Sequence, residues 1–153
     1  MITFAGIPQV FTALRVIWSA RSDNSNPATY MCVRLNGDSS SGDYEWQINQ
    51  ANNSSMAGSG NPGSTVSLIQ VGTMAAATAT AGYFGGGEFT IPNPGGNVYK
   101  NGAGYSNSMN STSNGYSGTY GGQLLSTAPV TLLSLFAEAG NLVAGTSATL
   151  YGM

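Results

Sequence analysis

The chain has 153 residues, of which only 7% are Asp, Glu, Lys or Arg, and it contains no histidine. Ordinary soluble domains carry about 25% charged residues, so neutral Ser, Thr, Asn and Gly have to cover this surface. Four basic residues are too few to follow a phosphate backbone, and a Ser-His triad or a zinc site needs histidine or several cysteines. We therefore expect no nucleic-acid binding, no chemistry of those kinds and no cofactor.

Two further features restrict where the chain can act. It has no run of about 18 apolar residues, which a membrane span requires, and its start lacks the basic and apolar regions of a secretion signal. The single cysteine, Cys32, lies within an apolar stretch. We expect no membrane association, no secretion signal and a packing role for Cys32 within a strand.

In chain order, the first predicted elements are strands. The apolar segment 1–9 precedes them and is expected to act as an N-terminal contact arm. Alternating apolar residues predict strands over 10–18 and 28–35. The dipeptide Asn36-Gly37 follows at once and is typical of a hairpin turn, because both turn positions need positive φ. The returning strand is expected to begin at Tyr44.

The middle of the chain has weaker signals. Segment 50–64 is rich in Asn, Ser and Gly and predicts a loop, followed by a strand over 65–72. Segment 74–82 fits either a helical turn or a short strand. The triplet 85–87, Gly-Gly-Gly, predicts a kink, a bulge or a tight packing site in a strand that ends at Pro92.

The last third begins with a tract of Gly, Ser, Asn and Tyr over 101–122, which predicts a long polar loop. Two strands then follow, over 130–136 and 144–151. About eight short strands without helical periodicity predict an all-β fold. We expect a single antiparallel, jelly-roll-like β-sandwich domain.

Acidic residues raise the question of catalysis. Asp43 and Glu45 lie two apart, and Glu88 and Glu138 are also available. Two carboxylates can hydrolyse a glycosidic bond. Six scattered acids nearly always offer some such pair, so we predict that the protein is not an enzyme.

Two loops rich in Asp and Asn invite a calcium interpretation, because oxygen ligands suit calcium. Neither loop has the spacing of a calcium-binding loop, and these residues are ordinary turn formers. We therefore predict no metal site. The residues are Asp23, Asn24 and Asn26 in the first loop and Asn36, Asp38 and Asp43 in the second.

The tyrosines of the polar tract are the best candidates for ligand contact. Tyr105, Tyr116 and Tyr120 are set among Gly, Ser and Asn, the composition of antibody recognition loops, in which tyrosine gives contact area at low entropic cost. Aromatic rings also stack on sugars. The opposing interpretation is a spacer that becomes ordered on a neighbouring subunit.

The edges of the predicted sandwich point to self-association. Natural edge strands are usually protected by Lys or another charge, and this chain has one lysine, Lys100. Loops or bulges could cover the edges, but we favour a partner subunit.

Three segments together resemble small β-sandwich domains on the virions of tailed bacteriophages. They are residues 4–11 (FAGIPQVF), 34–38 (RLNGD) and 140–152 (GNLVAGTSATLYG). Such domains occur as capsid decoration proteins and as tail-fibre or receptor-binding tips. The resemblance implies a jelly-roll-like fold, a homotrimer and a place on the virion after synthesis in the host cytoplasm.

From these observations we expect a capsid decoration (cement) protein that binds the major capsid protein as a homo-oligomer. Its capsid or intersubunit contacts are expected from the apolar N-terminal segment and the start of the chain beyond it, at Phe4, Ile7, Pro8 and Phe11. The alternative is a tail-fibre tip that recognises a host surface glycan through Tyr105, Tyr116 and Tyr120.

Overall fold

The computed structural model describes residues 1–62 and 65–153, and these form eleven β-strands. In chain order they are β1 (Ile2–Ala5), β2 (Ala13–Ala20), β3 (Ala28–Leu35), β4 (Tyr44–Asn52), β5 (Ser55–Asn61), β6 (Ile69–Ala75), β7 (Gly85–Pro92), β8 (Lys100–Ser111), β9 (Asn114–Leu124), β10 (Leu132–Ala137) and β11 (Ser147–Gly152).

The strands make two antiparallel sheets that pack face to face. The small sheet has the order β1-β10-β3-β6, and the large sheet has the order β11-β2-β7-β8-β9-β4-β5. The predicted all-β sandwich is confirmed, with eleven strands where about eight were expected. Buried side chains from both sheets fill the space between them, among them Leu14, Val33, Ile69, Phe89 and Leu133.

Strand β6 crosses the inner face of the large sheet diagonally. Ile69, at its start, lies against Gly122 of β9. Ala75, at its end, forms an isolated parallel bridge with Arg21, one residue beyond β2. Every residue of β6 is buried, so this edge of the small sheet is covered by the large sheet.

Glycines make this close crossing possible. A Cβ at Gly85 would lie 2.6 Å from the Met74 backbone, and a Cβ at Gly72 of β6 would collide with the Trp18 ring. Within the large sheet, a Cβ at Gly87 would lie 2.8 Å from the same ring. The register between β2 and β7 is continuous through the triplet. The tight packing site predicted for the triplet is therefore confirmed, without a bulge.

The Asn36-Gly37 turn forms, but the predicted hairpin is wrong. Both residues have positive φ, at 54° and 70°. The strand that follows, β4, belongs to the other sheet. The physical reason is that the Asn36 side chain fixes the turn to the start of β10, where its Oδ1 accepts from the Thr131 N–H at 2.8 Å.

Tyr44 anchors the crossing between the sheets. Its hydroxyl accepts from the Leu35 N–H at 3.1 Å and can donate to the carbonyl oxygens of Leu35 or Asp38. The side chain is fully buried, and this desolvation raises the pKa of Tyr44 to about 12.

Three segments predicted as irregular are strands. The predicted 101–122 loop is occupied by β8 and β9, which pair with each other and with β7 and β4 on either side. Glycine is tolerated there because neighbouring strands satisfy the backbone on both sides. The predicted 50–64 loop contains the end of β4 and all of β5, and its residues 63 and 64 lie outside the described residues. The expected arm over 1–9 contributes β1, which pairs with β10.

Segment 74–82, for which the sequence predicts either a helical turn or a short strand, completes β6 at Ala75 and continues as turns without a helix. The strand predicted over 65–72 begins at Ile69 instead. Cys32 is fully buried in β3, as predicted, and its burial raises the pKa of the thiol well above the ordinary value.

Two cations brace the loops at opposite ends of the sandwich. The Arg21 guanidinium donates to carbonyl oxygens of the turn after β6, including those of Ala79 at 2.9 Å and Thr80 at 2.8 Å. The buried Lys100 ammonium donates to the carbonyl oxygens of Val98, at 2.6 Å, and Thr127, at 3.2 Å.

The glycine packing predicts a contrast between adjacent positions. We expect Gly87→Ala to lower the free energy of unfolding by about 1–3 kcal/mol, because a Cβ there overpacks the space beside Trp18. Gly86→Ala is the matched control, since its Cβ would meet only the Trp18 carbonyl oxygen, at an ordinary 3.5 Å. Urea denaturation of both variants measures the difference, and equal stabilities would contradict the packing argument.

The buried phenol of Tyr44 predicts an alkaline loss of stability. The unfolded chain ionises Tyr44 near pH 10, whereas the folded protein keeps it neutral up to about pH 12. The neutral, buried phenol therefore makes its full contribution to the free energy of unfolding below pH 10. Roughly 2–3 kcal/mol of that contribution is lost as the pH rises towards 12. Urea denaturation across this range should show a shallower decline for Tyr44→Phe, and an unchanged slope in that variant would contradict the assignment. Tyr105→Phe, at an exposed position, is the control.

Candidate interaction surface: an apolar groove between two sheet edges

An open groove of about 270 Å³ lies where the outer strands of the two sheets meet. Strand β1 is the edge of the small sheet, and β11 is the edge of the large sheet. We call this feature the edge groove. It is lined by Phe4, Ala5, Gly6, Ile7, Pro8, Phe11, Leu14, Leu150 and Gly152.

All four residues predicted for capsid or intersubunit contact line this groove. Phe4 lies in β1 opposite Leu133 of β10, whereas Ile7, Pro8 and Phe11 lie in the connection to β2. The structure thus brings these four residues together, although it places them on the body of the domain and not on a projecting arm.

The connection is held in place locally. Gly6 has a φ of +67°, which a residue with a Cβ rarely adopts, and it turns the chain out of β1. The Ile7 N–H donates to the Thr131 carbonyl at 3.1 Å. The Gln9 amide donates to the carbonyl oxygens of Ile7, at 2.8 Å, and Val130, at 2.9 Å. These bonds attach the segment to the chain entering β10.

The other wall depends on the C-terminal strand. Residues 147–152 pair with β2, and the Met153 carbonyl accepts from the Thr12 N–H at 2.6 Å. The Phe11 ring packs directly on Gly152, where a Cβ would collide with the ring. A glycine at this position is therefore needed for Phe11 to lie along the groove.

Among the residues that the structure describes, no charged side chain lines the edge groove. Apolar residues beside it in the chain extend the surface outward: Val10 is 80% exposed and Met153 is 51% exposed. Exposed apolar residues next to an uncharged groove are typical of an interaction site. The arrangement can hold an apolar side chain of a partner and offers no group for acid–base chemistry.

The three tyrosines predicted for glycan contact do not come together. Tyr105 of β8 points away from the small sheet and is 56% exposed. Tyr116 and Tyr120 of β9 point to the opposite face, which follows from the register of β9 with β8. Tyr116 is half-buried at the end of the inter-sheet space.

Tyr120 cannot contact a glycan, which corrects the prediction. It is buried, and its hydroxyl bonds with Gln50 Oε1 at 2.7 Å and with Thr73 Oγ1 at 2.9 Å. Burial raises the pKa of Tyr120. The residue is a polar part of the core.

The exposed face of the large sheet carries other polar features around Tyr105. Glu88, opposite Tyr105 on β7, pairs with the Arg15 guanidinium, and this carboxylate raises the pKa of Arg15. A second, polar groove of about 410 Å³ on this sheet includes Glu45, Asn101 and Gln123 in its lining. The register places these three side chains on the same face as Tyr105.

Three of the four acidic residues considered for catalysis have separate partners. Glu45 accepts from the Gln123 amide, Glu88 pairs with Arg15, and Glu138 accepts from the Gln70 amide at 2.7 Å. In both loops considered for calcium, Asp and Asn side chains accept hydrogen bonds from the backbone of their own turn or of a neighbouring segment. Asp23 accepts from the Asn141 N–H, and this bond lowers the pKa of Asp23. Asp38 accepts from the Ser40 N–H at 2.8 Å, which lowers its pKa in the same way.

Within residues 1–62 and 65–153, no three His, Cys, Asp or Glu residues are grouped closely enough to hold a metal ion. In the same ranges, no helix is long and apolar enough to cross a membrane.

Sequence reasoning missed the second wall of the edge groove. Leu14 and Leu150 were each recognisable within predicted strands, but which strand lies beside β1 depends on sheet order. Gly152 gave no signal, because its role is set by Phe11 on a distant segment.

Comparison with known proteins gave no match: no family model, curated protein or solved structure is detectably similar to this chain.

Proposed function

We propose that the protein is a structural component of a tailed-phage virion, a capsid decoration protein that attaches as a homo-oligomer through the edge groove. The observation that carries this proposal is the convergence of Phe4, Ile7, Pro8 and Phe11 on one uncharged groove between two sheet edges. The assignment to a tailed-phage virion rests on the resemblance of three sequence segments to phage decoration and tail-tip domains. That resemblance also implies a homotrimer.

The groove is large enough for a small contact area on each protomer, and every protomer of a homo-oligomer repeats that contact. Burying one Leu-sized side chain of a partner contributes about 1.5–3 kcal/mol. A homo-oligomer makes the same contact several times on a symmetric shell, and effective concentration then strengthens the later contacts. Firm attachment therefore needs no large interface on each protomer.

The low charge of the chain supports close packing of identical copies. Residues 46–87 and 101–137 contain no Asp, Glu, Lys or Arg. Identical copies therefore meet little like-charge repulsion.

The test is co-sedimentation of the purified protein with heads of the encoding phage assembled without it. We expect Val10→Asp to weaken retention on heads by at least about tenfold, because the carboxylate must be desolvated beside the apolar contact. Met109→Asp is the matched control: Met109 is apolar and 40% exposed, on the face of the large sheet and away from the groove. Undiminished binding by Val10→Asp, or no binding by the unmodified protein, would contradict the proposal.

A second candidate function, glycan recognition, is favoured by one observation. Tyr105 stands exposed on the same flat face as the polar groove with Asn101 and Gln123. Amide groups both donate and accept hydrogen bonds, and the phenol ring offers contact area at low entropic cost.

This candidate predicts binding of the protein to bacterial surface polysaccharides immobilised as a panel. We expect Tyr105→Ala to reduce such binding roughly five- to thirtyfold, since loss of a stacked ring removes roughly 1–2 kcal/mol. Tyr116→Ala should have less effect, because Tyr116 points to the opposite face. Absence of binding, or equal loss in both variants, would reject glycan recognition at this face.

A further inference from the structure

The outer edge of β5 is the most open edge of the sandwich. Six of the seven residues in Ser55–Asn61 are exposed, on both faces of the sheet. The edges β1 and β11 both contribute to the edge groove, and β6 is buried. Within the described residues, no strand pairs with the far side of β5, and residues 55–61 make no backbone hydrogen bond outside the sheet.

This edge lacks the usual protection. Natural edge strands carry Lys, Pro or a bulge that prevents pairing with another chain. Residues 55–61 contain neither a charged residue nor proline, and β5 pairs with β4 over its whole length without a register shift. Alternate residues of an antiparallel edge direct their N–H and C=O groups outward, so β5 presents a regular row of unpaired groups.

We propose that β5 pairs with β5 of a second copy of this chain, antiparallel and around a two-fold axis, so that two large sheets become continuous. The proposal deepens the proposed self-assembling role and rests on it. A two-fold contact uses the same patch on both copies. The neutrality of 46–87 removes like-charge repulsion between the two identical edges.

The sequence of β5 favours one register. All seven residues find partners only if the middle residue, Gly58, lies on the two-fold axis. Met56 then lies opposite Gly60 of the second copy, on the same face of the joined sheet. Met56 is 77% exposed in the single chain, and the missing side chain at Gly60 leaves space beside it.

The contact is distinct from the edge groove. The β5 strand and the β11 strand lie at opposite ends of the large sheet's strand order. A two-fold contact joins protomers in pairs, so it would link two single copies or two trimers.

Disulfide trapping tests the register directly. Opposite residues across an antiparallel pair have Cα atoms about 4.5–5.5 Å apart, within the range that a disulfide spans. Gly58→Cys is sterically acceptable, since the nearest atom to its Cβ is Asn49 Oδ1 at an ordinary 3.4 Å. The native Cys32 is buried, so the new thiol is the accessible one.

Under mild oxidation at micromolar concentration, we expect Gly58→Cys to form a covalent dimer at least about tenfold faster than Thr149→Cys. Thr149 is exposed on β11, at the opposite edge of the same sheet. Equal rates for the two variants would overturn the proposal. A second design guards against a folding defect at Gly58: a mixture of Ala57→Cys and Ser59→Cys should cross-link at least about tenfold faster than either variant alone, and no such excess would overturn the register.

Sedimentation equilibrium of the unmodified protein should show an even number of chains, and Met56→Lys should halve that number. A monomer at every concentration, or an odd assembly alone, would overturn the pairing. Head binding separates this result from the proposed function. If Val10→Asp weakens retention on heads as expected while Met56→Lys leaves the mass of the assembly unchanged, only the β5 pairing fails.

Discussion

The close crossing of β6 over the large sheet is the constraint on which the architecture depends. It exists because Gly85 carries no side chain where Met74 of β6 approaches, and Gly72 of β6 carries none where the Trp18 ring approaches. The sheets lie so close there that the Thr73 N–H donates to Ser106 Oγ of the opposite sheet at 3.0 Å. As a result, β6, which is one edge strand of the small sheet, is completely buried. The small sheet has four strands and the large sheet has seven, so the small sheet does not reach as far as β5. Strand β5 is therefore exposed on both faces. This difference in size creates the free edge from which we infer self-association.

The few charges of the chain serve internal bonds. Arg15 pairs with Glu88, and Arg34 donates to the Ser67 carbonyl at 3.0 Å while its guanidinium lies 4.8 Å from the centre of the Phe136 ring. Arg21 and Lys100 are bonded to main-chain oxygens of loops. Outside these bonds the surface relies on neutral polar groups. Contacts of such a surface with other molecules have to come from shape, apolar area and backbone pairing, which is why the edge groove and β5 carry the proposals.

Sequence patterns predicted the strands that are apolar on one face and failed where glycine and asparagine form strands. Strand β3 was placed at 28–35, where the structure has it, because alternating apolar residues there face a core. The loop predicted over 101–122 is wrong because the glycines there are packing positions within strands: the Phe89 ring packs against Gly102. The local sequence predicts the Asn36-Gly37 turn correctly, but the strands on either side of the turn do not pair as a hairpin. The reason is that the Asn36 side chain bonds to Thr131, 95 residues away in the chain. The convergence of Phe4, Ile7, Pro8 and Phe11 followed from their proximity in the chain. The opposite wall, at Leu150 and Gly152, depends on sheet order, which local sequence does not encode.

The bonds of Arg21 and Lys100 to carbonyl oxygens have a consequence for the environments in which the molecule keeps its shape. A main-chain carbonyl has no proton to gain or lose in the ordinary acid or alkaline range, unlike a carboxylate. Mobile ions weaken attraction between exposed charges, but they affect short hydrogen bonds to a buried ammonium much less. The loops at both ends of the sandwich should therefore keep their conformation in brine and in mild acid, with Arg15–Glu88 the one described ion pair that dissolved salt can weaken.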